Sequence, residues 1–232
     1  MEKKHSGAHS GAHSSEKSAP TPDKKWMYVS YALVAILLVS VVSNFFMIAK
    51  LTDYVGPPKI RVQGGAGFVG KADAPLTLVM YTDYECPYCA RWYQQTYAQL
   101  KENFIDTGLV RFEVKNFPLS FHPNAMISAN AAECAEAQGS FIEYQEILYQ
   151  NQRALDRASL IRYAGEAGLD TAKFIDCLDS DTFVEDINAE AAEGASLGIS
   201  GTPGFLLNGE SLPLGASPYS SFETALNQAL GR

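Results

Sequence analysis

The sequence predicts an α/β domain, on three observations. A run rich in β-formers, Leu76-Thr77-Leu78-Val79-Met80-Tyr81, leads through Cys86-Pro87-Tyr88-Cys89 into a helical pattern of apolar residues at Trp92, Tyr93, Tyr97, Leu100 and Phe104. The segment Leu109-Val110-Arg111-Phe112-Glu113-Val114-Lys115 alternates apolar with charged residues, the signature of a strand with one buried face. Strand character then disappears until Phe205-Leu206-Leu207, where Asn208-Gly209 follows as the residue pair that a two-residue hairpin needs. The order is β-α-β, an all-helical block, then β-β-α.

Taken from the N-terminus, residues 1–25 read as a disordered tail. His5-Ser6-Gly7-Ala8, His9-Ser10-Gly11-Ala12 and His13-Ser14 form a low-complexity repeat, followed by Pro20 and Pro22. Three histidines four apart could bind a metal on a helix, but Gly7, Gly11 and their serines oppose that helix and favour a solvated tail. Residues 26–49 carry no charge and are bracketed by Lys25 and Lys50, long enough for one transmembrane helix. Trp26, Tyr28 and Tyr31 stand at one end, where amphipathic rings prefer the interface. A cleaved signal peptide would have a shorter apolar region, and Met47-Ile48-Ala49 lacks a small-x-small cleavage pattern. An uncleaved anchor is therefore expected. Residues 50–70 read as a linker, with Gly56-Pro57-Pro58, Gly64-Gly65 and one short strand around Ile60-Arg61-Val62.

The folded domain is expected over 71–232. Within it, residues 123–198 read as a helical insertion, with starts at Pro123-Asn124, Ser140, Asp156, Asp170-Thr171 and Asp181 and breaks at Gly139, Gly165 and Gly168. A last helix runs from about Pro218 to Leu230.

The chemistry centres on Cys86 and Cys89. Two thiols separated by two residues at a helix start can close a disulfide and reopen it by exchange. The helix N-terminus favours an anion, so Cys86 is expected to be exposed and unusually acidic. Cys89, one turn further in, is expected to be more buried and to resolve a mixed disulfide. Pro87 fits the first turn because its missing N–H would have no partner there. Zinc sites and structural disulfides also use C-x-x-C, but the strand-to-helix setting favours redox exchange. The other pair, Cys134 and Cys177, lies on two helices of the insertion and reads as a structural disulfide; a second redox couple and two unpaired thiols are the alternatives. One zinc site made by all four is disfavoured, because the second pair is not a C-x-x-C.

Residues 50–232 hold 13 Lys/Arg against 23 Asp/Glu, which argues against nucleic acid or an anionic lipid surface as partner. Near the apolar segment Lys17, Lys24 and Lys25 on one side match Lys50, Lys59 and Arg61 on the other, a tie that Lys3 and Lys4 break only weakly. All four cysteines lie after it, and paired thiols belong on the oxidising side of a membrane. The large domain is therefore expected outside the cytoplasm.

The element order points to a thioredoxin-like fold with an all-helical insertion. Over about residues 67–230 the chain resembles the DsbA family of disulfide oxidoreductases, in the branch with a membrane-anchored or secreted domain. The resemblance rests on Tyr81-Thr82-Asp83-Tyr84-Glu85-Cys86-Pro87-Tyr88-Cys89, Phe117-Pro118-Leu119 with His122-Pro123-Asn124-Ala125, Gln138-Gly139 with Phe141, and Gly198-Ile199-Ser200-Gly201-Thr202-Pro203. It implies that Cys86 exchanges disulfides with substrate and that Cys89 resolves. It also implies a cis peptide at Thr202-Pro203 that lies against them and, with Pro87 and Tyr88, meets an extended substrate. The bland alternative is a trans turn proline. The implied partners are cysteine-containing proteins outside the cytoplasm and a quinone-linked membrane protein that reoxidises the pair, with no organic cofactor or metal. A reductase or isomerase of the same fold, and a metal-binding or docking module, are the rival functions.

This chain departs from the pattern in two places. The buried carboxylate that many thioredoxin-like proteins keep six residues before the first cysteine is Met80 here, and Asp83 and Glu85 would oppose a Cys86 thiolate if unsolvated. His122 could depress the Cys86 pKa or simply lead into a helix. Trp92, Tyr93 and Tyr97 read as core, Tyr84 and Tyr88 as walls of a shallow apolar groove, and Phe117 and Phe121 as groove or core.

Overall fold

The computed structural model describes residues 68–232, together with Lys24, Tyr28, Val29, Tyr31 and residues 33–40. The chain divides into two units, Met1–Pro58 and Lys59–Arg232. In the first, the described residues are helical and exposed. Among the described residues no helix is long and apolar enough to cross a membrane; the anchor is expected over 26–49. Most of that span, the tail 1–25 apart from Lys24, and the strand expected around Ile60-Arg61-Val62 lie outside the described residues.

The second unit is built on one mixed sheet. Its strands are β1 (Phe68–Val69), β2 (Leu76–Thr82), β3 (Val110–Asn116), β4 (Gly204–Leu207) and β5 (Glu210–Ser211), in the order β1-β3-β2-β4-β5. β2 runs parallel to β3, from Leu76↔Val110 to Thr82↔Asn116, and antiparallel to β4, from Leu78↔Leu207 to Tyr81↔Gly204. Parallel pairing needs a crossover, and helix α1 supplies it. α1 starts as Pro87–Trp92 and continues through π-helical Tyr93–Tyr97, a turn at Ala98–Leu100 and π-helical Lys101–Ile105. The β4–β5 turn places Asn208 and Gly209 at φ 52° and 86°, the pair of positive angles that a type I′ hairpin demands. The Asn208 side chain accepts from the Thr77 N–H at 2.8 Å and ties the turn back to β2.

On one face of the sheet Leu78, Met80, Phe112, Val114 and Phe205 form a core with Trp92 of α1 and Phe222 of the C-terminal helix. The Trp92 ring lies 4.9 Å from Phe205, 5.5 Å from Phe222 and 5.9 Å from Phe112, centroid to centroid. Burial of Trp92 is the largest single apolar contribution from α1.

The other face corrects the sequence reading of β3, which gave it one buried face. Glu113 and Lys115 are buried as well, Lys115 to 1% exposure. A charged side chain stays buried only when paired, and partners are present: Arg111 Nε lies 2.8 Å from Glu113 Oε1, and Lys115 pairs with Glu193. Glu193 comes from helix α6 (Val184–Ser196), which covers this face. Its approach depends on Gly194, where a Cβ would stand 2.7 Å from the Tyr81 ring.

The helical block consists of α2 (Ala125–Glu136), α3 (Phe141–Gln150), α4 (Arg157–Glu166), α5 (Thr171–Asp179) and α6 (Val184–Ser196), and α7 (Tyr219–Ala229) closes the chain. Asp156 caps α4 by accepting from Ala158 and Ser159 N–H, and Asp170 caps α5 through Ala172 and Lys173 N–H. The expected start at Asp181 is displaced: Asp181 takes φ 51°, and the helix begins after one further turn, at Val184. Gly165 is not a break, since it lies inside α4; Gly168 at φ 77° ends that helix. Cys134 of α2 and Cys177 of α5 are joined in a disulfide, with Cα atoms 5.9 Å apart.

Where α2 and α6 meet β3, two carboxylates share one amide. Asn116 Nδ2 donates to Glu133 Oε1 at 2.6 Å and to Glu190 Oε2 at 3.0 Å, and Asn116 N–H donates to Glu190 Oε2 at 2.8 Å. Burial first, then the charge of Glu190, raises the Glu133 carboxyl from 4.5 to about 8, against the Asn116 hydrogen bond. Because the folded-state value lies above the unfolded one, the stability linked to this proton is complete below pH 4.5 and is lost as pH rises through about 8. Glu133→Gln keeps an acceptor for Asn116 and removes the titration. It is expected to raise unfolding stability by on the order of 4 kcal/mol at pH 8.5 and by much less at pH 5 in denaturant melts. An equal effect at both values would refute the linkage.

Candidate active site

Strand β2 ends at Thr82, and the next four residues turn the chain into α1. Asp83 organises that turn: its Oδ1 accepts from Glu85 N–H at 2.8 Å, and its Oδ2 accepts from Leu119 N–H at 2.9 Å and from His122 Nδ1 at 2.8 Å. The Cys86 N–H donates to the Asp83 carbonyl at 3.1 Å. Glu85 faces the start of α2, where it accepts from Asn124 N–H at 2.7 Å. Both acids therefore hold the turn together through donors, in place of standing unsolvated beside the sulfur. His122 serves Asp83, which favours its structural reading.

Cys86 is the N-cap residue of α1 and Pro87 its first helical residue. Contrary to the sequence expectation, Cys86 is 3% exposed. The reason lies opposite: the Thr202-Pro203 peptide is cis, and the Cys86 sulfur lies 3.4 Å from the Thr202 carbonyl oxygen. Pro203 is buried, while Pro87 and Tyr88 are exposed, Tyr88 to 55% with Arg91 stacked 4.9 Å over its ring. The sequence-predicted residues Cys86, Pro87, Cys89, Thr202 and Pro203 thus meet at one point. Cys134 and Cys177 are joined to each other, away from this pair in the helical block.

Cys86 and Cys89 are both free thiols here, and their environments push them apart. The Cys86 thiol is lowered from 9.0 to about 5. The Cys89 S–H that donates to it is the largest cause, and burial opposes it. The Thr202 hydroxyl and the N–H groups of Cys89 and Tyr88 add further donors. Among the described residues the buried Thr202 hydroxyl has no other hydrogen-bond partner, so it is left to serve the thiolate. Cys89 is fully buried, and burial first, then its hydrogen bond to Cys86 and the Cys86 charge, raise its pKa well above 9.0. One sulfur is a stable anion at neutral pH and its neighbour holds a proton.

Gln152, in the loop after α3, was not visible in the sequence. Its Nε2 donates to the carbonyls of Tyr84 and Cys86, both at 2.8 Å, and so clamps the helical block onto the cysteine turn. Nothing in the local pattern marks it, because the contact spans 66 residues. Beside it a groove of about 770 Å³ runs past Pro87, Arg91, Gln94, Tyr149 and Arg153. Phe121, 73% exposed, rules out the core reading for that residue. Among the described residues no cluster of three or more His, Cys, Asp or Glu could hold a metal ion.

A C-x-x-C thus stands at the head of α1 and faces a cis-proline at the entry to β4. Residues 63–228 match the family described as thioredoxin. The chain belongs to the thioredoxin family. Similar solved structures include oxidised BdbD from Bacillus subtilis, with a TM-score of 0.64 and 24% identity, covering 71% of this chain and 92% of that one. Another is α-DsbA1 from Wolbachia pipientis, with a TM-score of 0.62 and 21% identity, covering 71% and 90%. Sequence relatives carry a different title. The Na(+)/H(+) antiporter NhaA of Herminiimonas arsenicoxydans is 38% identical over 143 residues, 62% of this chain and 22% of that protein. NhaA 1 of Mycolicibacterium vanbaalenii is 32% identical over 195 residues, 77% of this chain and 30% of that protein. The chain spans less than a third of the length of either relative.

Proposed function

We propose that this chain is a thiol–disulfide oxidoreductase that oxidises cysteine pairs in protein substrates through Cys86 and Cys89. The split between the two sulfurs carries the reading: Cys86 lies near 5 and Cys89 well above 9.0. A substrate thiolate attacks Cys86 in the Cys86–Cys89 disulfide, that S–S bond breaks, and Cys89 leaves as a thiolate and takes a proton. A second substrate thiolate then attacks its partner sulfur in the mixed disulfide, and Cys86 leaves. Two electrons pass from the substrate dithiol to the enzyme pair. Leaving is easy for a sulfur of low pKa, and a stabilised reduced form makes the oxidised form a stronger oxidant.

The cis Thr202-Pro203 peptide with exposed Pro87 and Tyr88 offers an extended substrate a backbone and an apolar rim. The Cys134–Cys177 disulfide supports a location outside the cytoplasm. The uncharged segment 26–49, with relatives named as Na(+)/H(+) antiporters, supports attachment to a membrane. A quinone-linked membrane protein then fits as the oxidant that resets the pair. Equilibration with glutathione tests the direction. A potential well above about −270 mV is expected, and one at or below that figure, where thioredoxin stands, would overturn the oxidase assignment in favour of a reductase.

A further inference from the structure

Whichever way electrons flow, Cys89 must become a thiolate, as leaving group when the pair is opened and as nucleophile when a mixed disulfide is resolved. It does so at 0% exposure, where water cannot supply hydrogen bonds and an unpaired anion is costly. The donors must come from the protein. Two groups stand where they favour the anion, the Asp83 N–H and the Thr82 hydroxyl. Thr82 does not act alone, because its Oγ1 lies 2.7 Å from the Tyr149 hydroxyl. Both residues are buried.

We propose that Thr82 and Tyr149 are positioning residues that form a two-hydroxyl chain, Tyr149 O–H to Thr82 Oγ1 and Thr82 O–H to Cys89 Sγ, which stabilises the buried thiolate during exchange. Either hydroxyl of the pair can be the donor, and this freedom is what the cycle uses. While Cys89 is a thiol, its S–H donates to the Cys86 thiolate, and Thr82 has no anion to serve. When Cys89 ionises, the Thr82 O–H turns to the sulfur and its oxygen accepts from Tyr149. Hydrogen bonds in such a chain reinforce one another. Tyr149 is suited to the outer position. Its ring is wedged 5.3 Å from Tyr84 and 4.8 Å from Tyr93, and burial keeps its hydroxyl protonated, hence always a donor. Tyr149 comes from α3, so the helical block completes the environment of a sulfur held by the sheet side of the fold.

The inference rests on the exchange function proposed above, and its test separates the two. In the full chain, the mixed disulfide of Cys86 with glutathione is formed and its resolution by Cys89 is followed against pH. Thr82→Val, which keeps shape and removes the hydroxyl, is expected to slow resolution about tenfold and move the profile to higher pH. Tyr149→Phe is expected to do the same to a smaller extent, about threefold. Thr82→Ser, which restores a hydroxyl, is expected to recover most of the rate. Alkylation of Cys86 is expected to keep its own pH dependence in all three. Unchanged resolution in Thr82→Val, or failure of Thr82→Ser to rescue, overturns the proposal. Should the wild-type chain show no exchange at all, the functional reading falls while the hydroxyl chain is still decided. In a Cys86→Ala background, the ultraviolet titration of the Cys89 thiolate must then shift upward with Thr82→Val, and no shift overturns it.

Discussion

Alanine at Cys86 is expected to abolish thiol–disulfide exchange, and alkylation of the wild-type reduced enzyme is expected to show Cys86 ionising near pH 5. The magnitudes show where that acidity acts. At pH 7 a thiol of pKa about 5 is almost wholly ionised, against roughly one part in a hundred for one at 9.0. That gain of about 100-fold is nearly cancelled, because nucleophilicity falls with pKa with a Brønsted coefficient of about 0.4–0.5. Over a drop of about four units this costs about 40–100-fold. Cys86 is therefore not an unusually fast attacker at neutral pH. Its acidity acts when it leaves, and in the equilibrium. Relative to a pair ionising at 9.0, the reduced form at pH 7 is stabilised by about 3 kcal/mol, or roughly 60 mV toward the oxidising side. The sign with pH follows: stabilisation of the thiolate is present at neutral pH and is lost as pH falls through about 5. Alkylation rate against pH checks this directly. A rate that stays low until pH 9 would remove the basis for the whole reading.

The elements that were plain in the sequence are those set by local chemistry. Leu76–Tyr81 appears within β2, Asp156 and Asp170 accept from the N–H groups of the first helical turns, and Asn208-Gly209 turns β4 into β5. Each depends on a few adjacent residues, so a pattern could reveal it. Misreadings came where distant parts of the chain meet. Alternation in β3 marks a second face covered by α6, because Glu193 compensates Lys115 across 78 residues. Cys86 was expected to be exposed because it heads a helix, yet Thr202, 116 residues away, covers it. Gln152 and Tyr149 reach the cysteine turn from the helical block, and nothing near them in sequence anticipates this. The two sulfurs were legible; the groups that tune them were not.

Loss of the Cys134–Cys177 disulfide is the other large effect. It closes a separation of 43 residues, for which the chain-entropy model gives roughly 4 kcal/mol, the origin of the term being disputed. For a domain of this size that corresponds to a fall in melting temperature on the order of 10 °C. The native contacts around it have other support. Asn130 of α2 donates to the Leu178 carbonyl at 3.1 Å and accepts from Phe183 N–H at 3.3 Å, and Phe174 and Leu178 are buried beneath. Cys134→Ala with Cys177→Ala is therefore expected to fold in the same form with a lower melting temperature, while Cys86 keeps its ionisation near pH 5 and exchange with glutathione keeps its rate. The two measurements distinguish a staple from a relay. A staple lowers stability and spares turnover. A relay of electrons to or from Cys86 would lose turnover in the double variant, and a large fall in exchange at an unchanged melting temperature would refute the structural role. The arrangement of α2 favours the staple: Glu85 accepts from Asn124 at the start of that helix, so cross-linking α2 to α5 steadies the element against which the cysteine turn is braced.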